Sequence, residues 1–533
     1  MRRYFVIILV GCLGSLQGFA AEAKRPNILL ILVDDVGYAD INAFASHLRG
    51  TPIEQHFRET PRIDQLARDG MMFTQFYAHS VCTPTRASLL TGKMPNRLGM
   101  WDAFATTRKT FENTRKPVPE GAHIQDQDVW DEYGYSRTDR GVSVPLASTA
   151  LHDVKTLPQG LKGYHSAFIG KWHLGSHGKP GYQPEDHGFN ETLAYYDGGG
   201  SSYYRPFKAP GGWIKPGEKL EPQQDYLSDD IAQRVGVFLE KRATQHAGEP
   251  FFLYVAHPAA HTPIESRADD ETYFKQKSKQ GDWLDRVSPG YAGLLKGMDR
   301  SIGEMLDQLA ALGLAENTAV IFLSDNGGLP KTTNSVPLRG GKSMQYEGGI
   351  RVPMIVRWPG HAAAGSSSNM PCDIADIYPT LMEIAGVDYE DFKKDPTTDG
   401  ESLTPLLSDP ANRAKQYGRS EFYQFYGKMG YKGHHHFATW ATLRKGDYKL
   451  HYDYQGKVEL YNIADDISES KNLTATQPEL TQQMLVQLTG WLAENCKSVY
   501  LPQPNPDFDP EGPLPYGPYI PLGELEKSLG TKH

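Results

Sequence analysis

The chain has 533 residues, 39% of them hydrophobic, with plentiful Gly and Pro, an ordinary globular composition that can bury a sizeable core in one large domain and a smaller one. Its 55 Lys+Arg against 64 Asp+Glu leave a formal net charge of −9, which argues against a general binder of nucleic acid or of anionic membrane. An anionic substrate would have to be recruited by local basic residues against this overall field.

In chain order, Arg2 and Arg3 precede an apolar run at 5–10 and small residues at Ala20, Ala21 and Ala23, the pattern of an export signal over residues 1–23. The run is too short to leave a transmembrane segment in the mature chain. Leu9-Val10-Gly11-Cys12 also has the form of a lipoprotein cleavage box, which would anchor the chain through Cys12. The expectation is an exported protein, periplasmic or secreted. Removing the signal leaves three of four cysteines, an odd count that argues against a disulfide framework, although one Cys372–Cys496 bridge is possible. The spacings match no zinc site.

Four short apolar runs, 27–33, 166–169, 251–255 and 318–323, lack clear alternation, as strands buried on both faces of a mostly parallel sheet do. Helical patterns lie between and after them. Residues 61–68 follow Thr60 as N-cap, carry Pro at the first turn and stop at Gly70; 291–312 stop at Gly313; 376–385 stop at Gly386. The predicted fold is α/β, a large mostly parallel sheet sandwiched by helices, over residues 24–414. From about residue 415 to 500 the pattern changes to short strands at 438–444, 448–452 and 458–461, joined by turns, and a helix at 479–494, read as a small antiparallel sheet with one helix. Residues 501–533 form a Pro-rich tail.

Each apolar run is followed by polar residues: Asp34 and Asp35 after the first, Lys171 and His173 after the second, His257 and His261 after the third, Asp325 and Asn326 after the fourth. Ligands of open α/β sheets bind outside the carboxyl ends of the strands, so these four ends would converge on one cleft. Cys82-Thr83-Pro84-Thr85-Arg86 then reads as a helix start. Pro84 suits the first turn, Cys82 would meet the free N–H groups and the positive end of the dipole, and Arg86 would grip a tetrahedral oxyanion with its planar fork.

The run from Cys82 to Gly92 resembles the type I sulfatase signature, Cys-x-Pro-x-Arg followed by Thr-Gly, within the alkaline-phosphatase-like superfamily; the resemblance extends from about residue 25 to 473. It implies that a formylglycine-generating maturation enzyme oxidises Cys82 to formylglycine. Leu32-Val33-Asp34-Asp35 and Ser324-Asp325-Asn326-Gly327-Gly328 match the family's two metal-ligand pairs, so the implied ligands are Asp34, Asp35, Asp325, Asn326 and the modified Cys82. This all-oxygen shell suits a hard cation, Ca2+ by family expectation with Mg2+ as the alternative. Gly170-Lys171-Trp172-His173 looks like the family's sulfate-binding lysine and histidine. Their i, i+2 spacing would put Lys171 and His173 on one side of an extended segment, with Trp172 packing on the other. Ala260-His261-Thr262-Pro263 and Arg339-Gly340-Gly341-Lys342 resemble the remaining catalytic histidine and lysine; His257 has no match and reads as structural.

The implied reaction is hydrolysis of an O-sulfate ester. A formylglycine hydrate attacks sulfur while the metal, Arg86, Lys171 and Lys342 neutralise charge; His261, alone or sharing the task with Lys342, protonates the leaving alcohol, and His173 deprotonates the second hydroxyl as sulfate leaves. Loop-rich stretches at 101–147 and 197–225, with many aromatics in the second, suggest a sulfated polysaccharide or oligosaccharide. The alternatives are a phosphatase or phosphonate monoester hydrolase of the same superfamily, or a non-catalytic binder of sulfated glycans should Cys82 stay unmodified. The His434-His435-His436 run reads as a loop near the cleft mouth, since three consecutive histidines cannot easily face one ion.

Overall fold

A computed structural model describes residues 25–101, 151, 154–175, 181, 183–196, 202–204, 226–407, 417–427, 440–453 and 457–496, and the backbone of three short strands, Tyr135–Ser136, Val142–Pro145 and Gln503–Pro504. The export signal with Cys12, most of both loop-rich stretches, His434–His436 and nearly all of the tail lie outside the described residues. No helix among the described residues is long and apolar enough to cross a membrane.

The four apolar runs are strands of one nine-stranded sheet. Its members are β1 (Asn27–Val33), β2 (Met71–Tyr77), β3 (His165–Lys171), β4 (Glu191–Tyr196), β5 (Phe251–His257), β6 (Thr318–Ser324), β7 (Arg351–Arg357), β8 (Ser366–Ser368) and β9 (Cys372–Asp373). They lie in the order β8-β2-β7-β6-β1-β5-β3-β4, with β9 also on β2. β1 is flanked by β5 and β6, both parallel to it; β7 alone reverses, pairing antiparallel with β6 and β2.

The unbroken apolar run of β1 follows from its position. Leu29, Ile31 and Val33 face one hydrophobic cluster and Ile28, Leu30 and Leu32 the other, so both sides of the strand are covered. The first cluster takes in the helices Pro61–Asp69, Leu227–Gln245 and Pro289–Ala311; the second takes in Cys82–Thr91 and Ile377–Ile384. Each Leu, Ile or Phe buried this way contributes about 1.5–3 kcal/mol. Cys372 and Cys496 are free thiols in different clusters, so no bridge joins them.

The C-terminal strands form a separate antiparallel sheet of β10 (Glu421–Tyr426), β11 (Trp440–Lys445), β12 (Tyr448–Asp453) and β13 (Lys457–Asn462). The helix Pro478–Asn495 closes one face through Met484, Leu485, Leu488 and Leu492 against Leu443, Leu450 and Leu460.

Candidate active site

The sheet register brings the polar strand ends together. Val33, the last residue of β1, sits beside His257 of β5 and Ser324 of β6, and Gly170 of β3 sits beside Ala256. Asp34 and Asp325 therefore leave adjacent strands side by side, and Lys171 ends β3 on the other side of β5. Gly170 has φ +115, and a Cβ there would meet the Ala256 carbonyl oxygen at 2.0 Å, so only glycine lets β3 approach β5 so closely at this end.

The helix Cys82–Thr91 starts at Cys82 after an extended Val81, and all ten of its residues are buried. The Cys82 thiol donates to Asp34 Oδ1 at 3.6 Å and accepts from Lys171 Nζ at 3.1 Å and Lys342 Nζ at 3.6 Å. Each lysine is also held by a carboxylate: Lys171 by Asp34 and Lys342 by Asp35, both at 2.6 Å. His261 Nε2 lies 3.7 Å from Asp35 Oδ2, and its Nδ1 sits 2.7 Å from the Thr262 carbonyl. Asp35 stands at φ +59, a left-handed conformation costly for a residue with a Cβ and characteristic of functional sites.

Two expectations are corrected here. Arg86 does not present a free fork. Its Nε and Nη2 donate to Asp325 Oδ2 at 3.2 and 2.8 Å and its Nη1 to the Lys171 carbonyl at 2.6 Å, because a guanidinium buried this fully needs fixed partners. Nor do Lys171 and His173 share a side of an extended segment. β3 ends at Lys171 and His173 turns to φ +54, with its carbonyl accepting from Thr83 Oγ1 at 3.2 Å. Trp172 packs edge-on to Phe168 and Phe189, and His257 accepts the Ala259 N–H on Nδ1 inside the turn after β5.

Burial raises Asp34, yet Lys171, His261, Arg86 and Lys342 bring it well below the usual carboxylate range; Asp35 is lowered against burial chiefly by Lys342 and His261. Burial and the neighbouring Asp34 push Asp325 up to about 6. Burial pushes the Cys82 thiol up to about 12, only partly offset by Lys171 and Lys342. Burial therefore opposes the thiolate that a cysteine nucleophile requires.

Asp34, Asp35, Cys82 and His261 offer ligand atoms within 4.8 Å of one another. Asn326 joins them by donating Nδ2 to Asp35 Oδ1 at 2.8 Å, and Asp325 Oδ1 accepts the Asp35 N–H at 3.2 Å. The Asn326 Oδ1 acceptor is buried with no hydrogen-bond donor among the described residues. A donorless amide oxygen beside three carboxylates fits a hard divalent cation.

Three contributors escaped the sequence reading. Tyr203, in the 197–225 stretch, places its hydroxyl 2.9 Å from the Pro258 carbonyl and 3.0 Å from that of His261, bracing the His261 loop. Ser343, at φ +71, donates its N–H to the Ser80 carbonyl at 2.7 Å, and Trp440 Nε1 donates to the Ser343 carbonyl at 3.2 Å. The one available signal was the aromatic content of residues 197–225; the other two contacts join segments far apart in sequence. A cavity of about 890 Å³ lies around Thr91 and Lys93, at the opposite end of the helix Cys82–Thr91, and takes no part in this cluster.

Comparison with known proteins agrees with the geometry. Residues 26–387 match the family model described as Sulfatase, and 341–496 match the one described as N-sulphoglucosamine sulphohydrolase, C-terminal. A protein named Sulfatase from Formosa agariphila is 29% identical, the match covering 94% of this chain and 98% of that protein. The N-acetylgalactosamine-6-sulfatase of Rattus norvegicus is 30% identical, over 90% of this chain and 82% of its own. Among solved structures, Ps i-CgsB in complex with k-i-k-neocarrahexaose superposes with a TM-score of 0.69 at 27% identity, covering 89% of this chain and 94% of that one. The fold is accordingly the alkaline-phosphatase-like sandwich, and the chain belongs to the sulfatase family of sulfuric ester hydrolases.

Proposed function

We propose that the chain hydrolyses an O-sulfate ester on a sulfated oligosaccharide or polysaccharide, with residue 82 carried as formylglycine. The observation that supports this most is the convergence of Lys171 and Lys342 on Cys82 Sγ at a buried helix start. Sγ stands in for the oxygen that formylglycine would carry on the same Cβ. Once a maturation enzyme has oxidised the residue, that group supplies an oxygen nucleophile able to release sulfate afterwards, which a serine ester lacks. A divalent cation, Ca2+ in this reading with Mg2+ the alternative, supplies positive charge at the nucleophile and the sulfuryl oxygens when bound. Asp34, Asp35, Asp325 and Asn326 would hold it.

The chain's own groups then have defined tasks. Burial opposes charge on Lys171 and Lys342, yet Asp34 and Asp35 respectively raise both above the ordinary lysine value, so both stay cationic. Both reach the nucleophile position, at 3.1 and 3.6 Å from Cys82 Sγ, and would neutralise charge on the sulfuryl oxygens. Arg86 adds positive charge through the Asp325 and Lys171 contacts while fixing both strand ends. The His261 Nδ1 proton is committed to the Thr262 carbonyl, so Nε2 is the atom left to exchange a proton with the leaving oxygen. Burial and Lys342 lower this imidazole; an anionic sulfate beside it favours the protonated form that donates. His173, whose carbonyl accepts from Thr83 Oγ1 one residue after the nucleophile position, would take the proton from the second hydroxyl.

The relatives' names support a carbohydrate substrate, and residues 1–23 support action after export, either free or anchored through Cys12. Two measurements test the proposal together. Free sulfate should be released from at least one member of a panel containing aryl sulfates, N-acetylgalactosamine 6-sulfate and sulfated neocarrahexaose. Mass spectrometry of the native protein should find formylglycine in the peptide carrying residue 82. An unmodified thiol there would leave the reaction without its nucleophile and return the chain to the non-catalytic binder.

A further inference from the structure

Lys342 lies in a strap with no strand or helix between Ser324 and Glu347, so its position is set by what the strap is tied to. Several ties come from the catalytic domain: Arg49 donates to the Val336 and Asn334 carbonyls at 2.9 and 3.2 Å, Thr333 Oγ1 donates to Asp40 Oδ2 at 2.8 Å, and Lys342 Nζ itself meets Asp35 at 2.6 Å. Within the strap Lys342 N–H donates to the Gly328 carbonyl at 3.0 Å, and Ser343 N–H reaches out to the carbonyl of Ser80 at 2.7 Å. Others come from the C-terminal sheet and the loop that follows β13, where Arg339 and Glu347 both meet Glu469.

Glu469 is fully buried and held at φ +50. Its Oε2 accepts the Glu347 N–H at 2.6 Å, and its carbonyl accepts Arg339 Nη1 at 2.8 Å, so it grips the strap on both sides of Lys342. Its Oε1 is held in turn by His451 Nε2 at 2.7 Å and Lys449 Nζ at 3.1 Å, and Lys449 also reaches Glu347 Oε1 at 2.9 Å. Tyr346 donates to Glu459 of β13 at 2.8 Å, a second tie between strap and sheet. A buried carboxylate in a costly backbone conformation, satisfied on one side by His451 and Lys449 of β12 and on the other by the strap, is a large commitment for a structural lock alone.

We infer that Glu469 is a positioning residue for catalysis: it acts through the strap to hold Lys342 Nζ against residue 82, which makes the C-terminal sheet a working part of the active site. The inference rests on the assignment of Lys342 as a catalytic lysine. A misplacement of about an ångström at a reacting group can cost as much as ~100-fold in rate.

The test is a double-mutant cycle on the matured full-length enzyme, with Glu469→Gln, Lys342→Ala and the pair. Turnover is measured on 4-nitrophenyl sulfate or on the oligosaccharide hydrolysed best in the panel above, and melting temperature is followed in parallel. Glu469→Gln should lower kcat on the order of tenfold or more and leave KM within about threefold. In the Lys342→Ala background the same substitution should change kcat less than about twofold, because the group it positions has gone. Equal losses in the two backgrounds, or an unchanged kcat in Glu469→Gln, would overturn the inference and leave Glu469 a stabilising lock. If Glu469→Gln does not fold, Tyr346→Phe, which removes only the hydroxyl bonded to Glu459, replaces it in the same cycle with the same criterion. Full turnover in Lys342→Ala alone would instead remove the assignment of Lys342, and the inference with it.

Discussion

His261 offers the sharpest test of a single residue. Its ring is fixed by the Thr262 carbonyl, and Nε2 is the free edge beside Asp35. If it protonates the leaving oxygen, His261→Ala should lower kcat on a poor alkyl leaving group by roughly 100-fold or more while costing little on an aryl sulfate with a good one. Equal losses on the two substrates would sink the role. At this scale much of the site was legible in the sequence, because Asp34, Lys171, His261 and Asp325 follow apolar runs that had to end somewhere. The orientation of each group was not. His173 leaves the extended conformation that its spacing suggested, and spacing carries no information about a positive φ. Arg86 has its donors bound by Asp325, 239 residues away, and no local pattern encodes that partner.

At the scale of elements, the loop after β6 is shaped by contact with the strap. A Cβ at Gly327 would lie 1.9 Å from the Gly348 carbonyl oxygen, backbone that cannot swing aside. Gly327→Ala must therefore push Asp325 and Asn326 away from Asp35. Overpacking of this kind costs about 1–3 kcal/mol. The variant should show a lower melting temperature and Ca2+ affinity weakened by at least about tenfold in calorimetric titration; unaltered affinity would show that the loop does not shape the cation site. The same level explains which strands the sequence revealed. β1, β5 and β6 are buried on both faces, and their apolar runs gave them away. β7 carries Pro353 in its middle, which argues against a central strand, yet it lies between β6 and β2. The structure accommodates it by irregular pairing: the β2 ladder breaks between Phe73 and Phe76, opposite the proline, and the β6 ladder stops at Met354. β2 mixes Thr74 and Gln75 into its apolar residues, and β10 falls where the small sheet was expected to have only three strands.

For the whole molecule, the seam between the two sheets is ionic, and that makes its stability depend on pH. Glu347 is fully buried, but Lys449, Arg351 and Arg444 outweigh burial and bring its carboxyl down to about 2. Tyr77 donates to Glu347 Oε2 at 2.9 Å, and Arg351 Nη1 lies 3.3 Å from the same oxygen. A carboxyl depressed in the folded state holds its proton more weakly there than in the unfolded chain, where Glu titrates near ~4.3. Its contribution is therefore complete above that value and is lost as the pH falls from ~4.3 toward about 2, where the folded carboxyl itself takes up a proton. Glu347→Gln keeps the shape but removes the charge, leaving Lys449 and Arg351 short of a buried counter-charge at every pH. The variant should be less stable at pH 7 by several kcal/mol, the usual scale for breaking one side of a buried pair. Its urea-unfolding free energy should also fall less steeply than the parent's between pH 5 and pH 2, and the two curves should converge at the acid end. Parallel curves over that range would mean that Glu347 does not carry the depressed titration, and that the acid sensitivity of the seam belongs to another carboxylate.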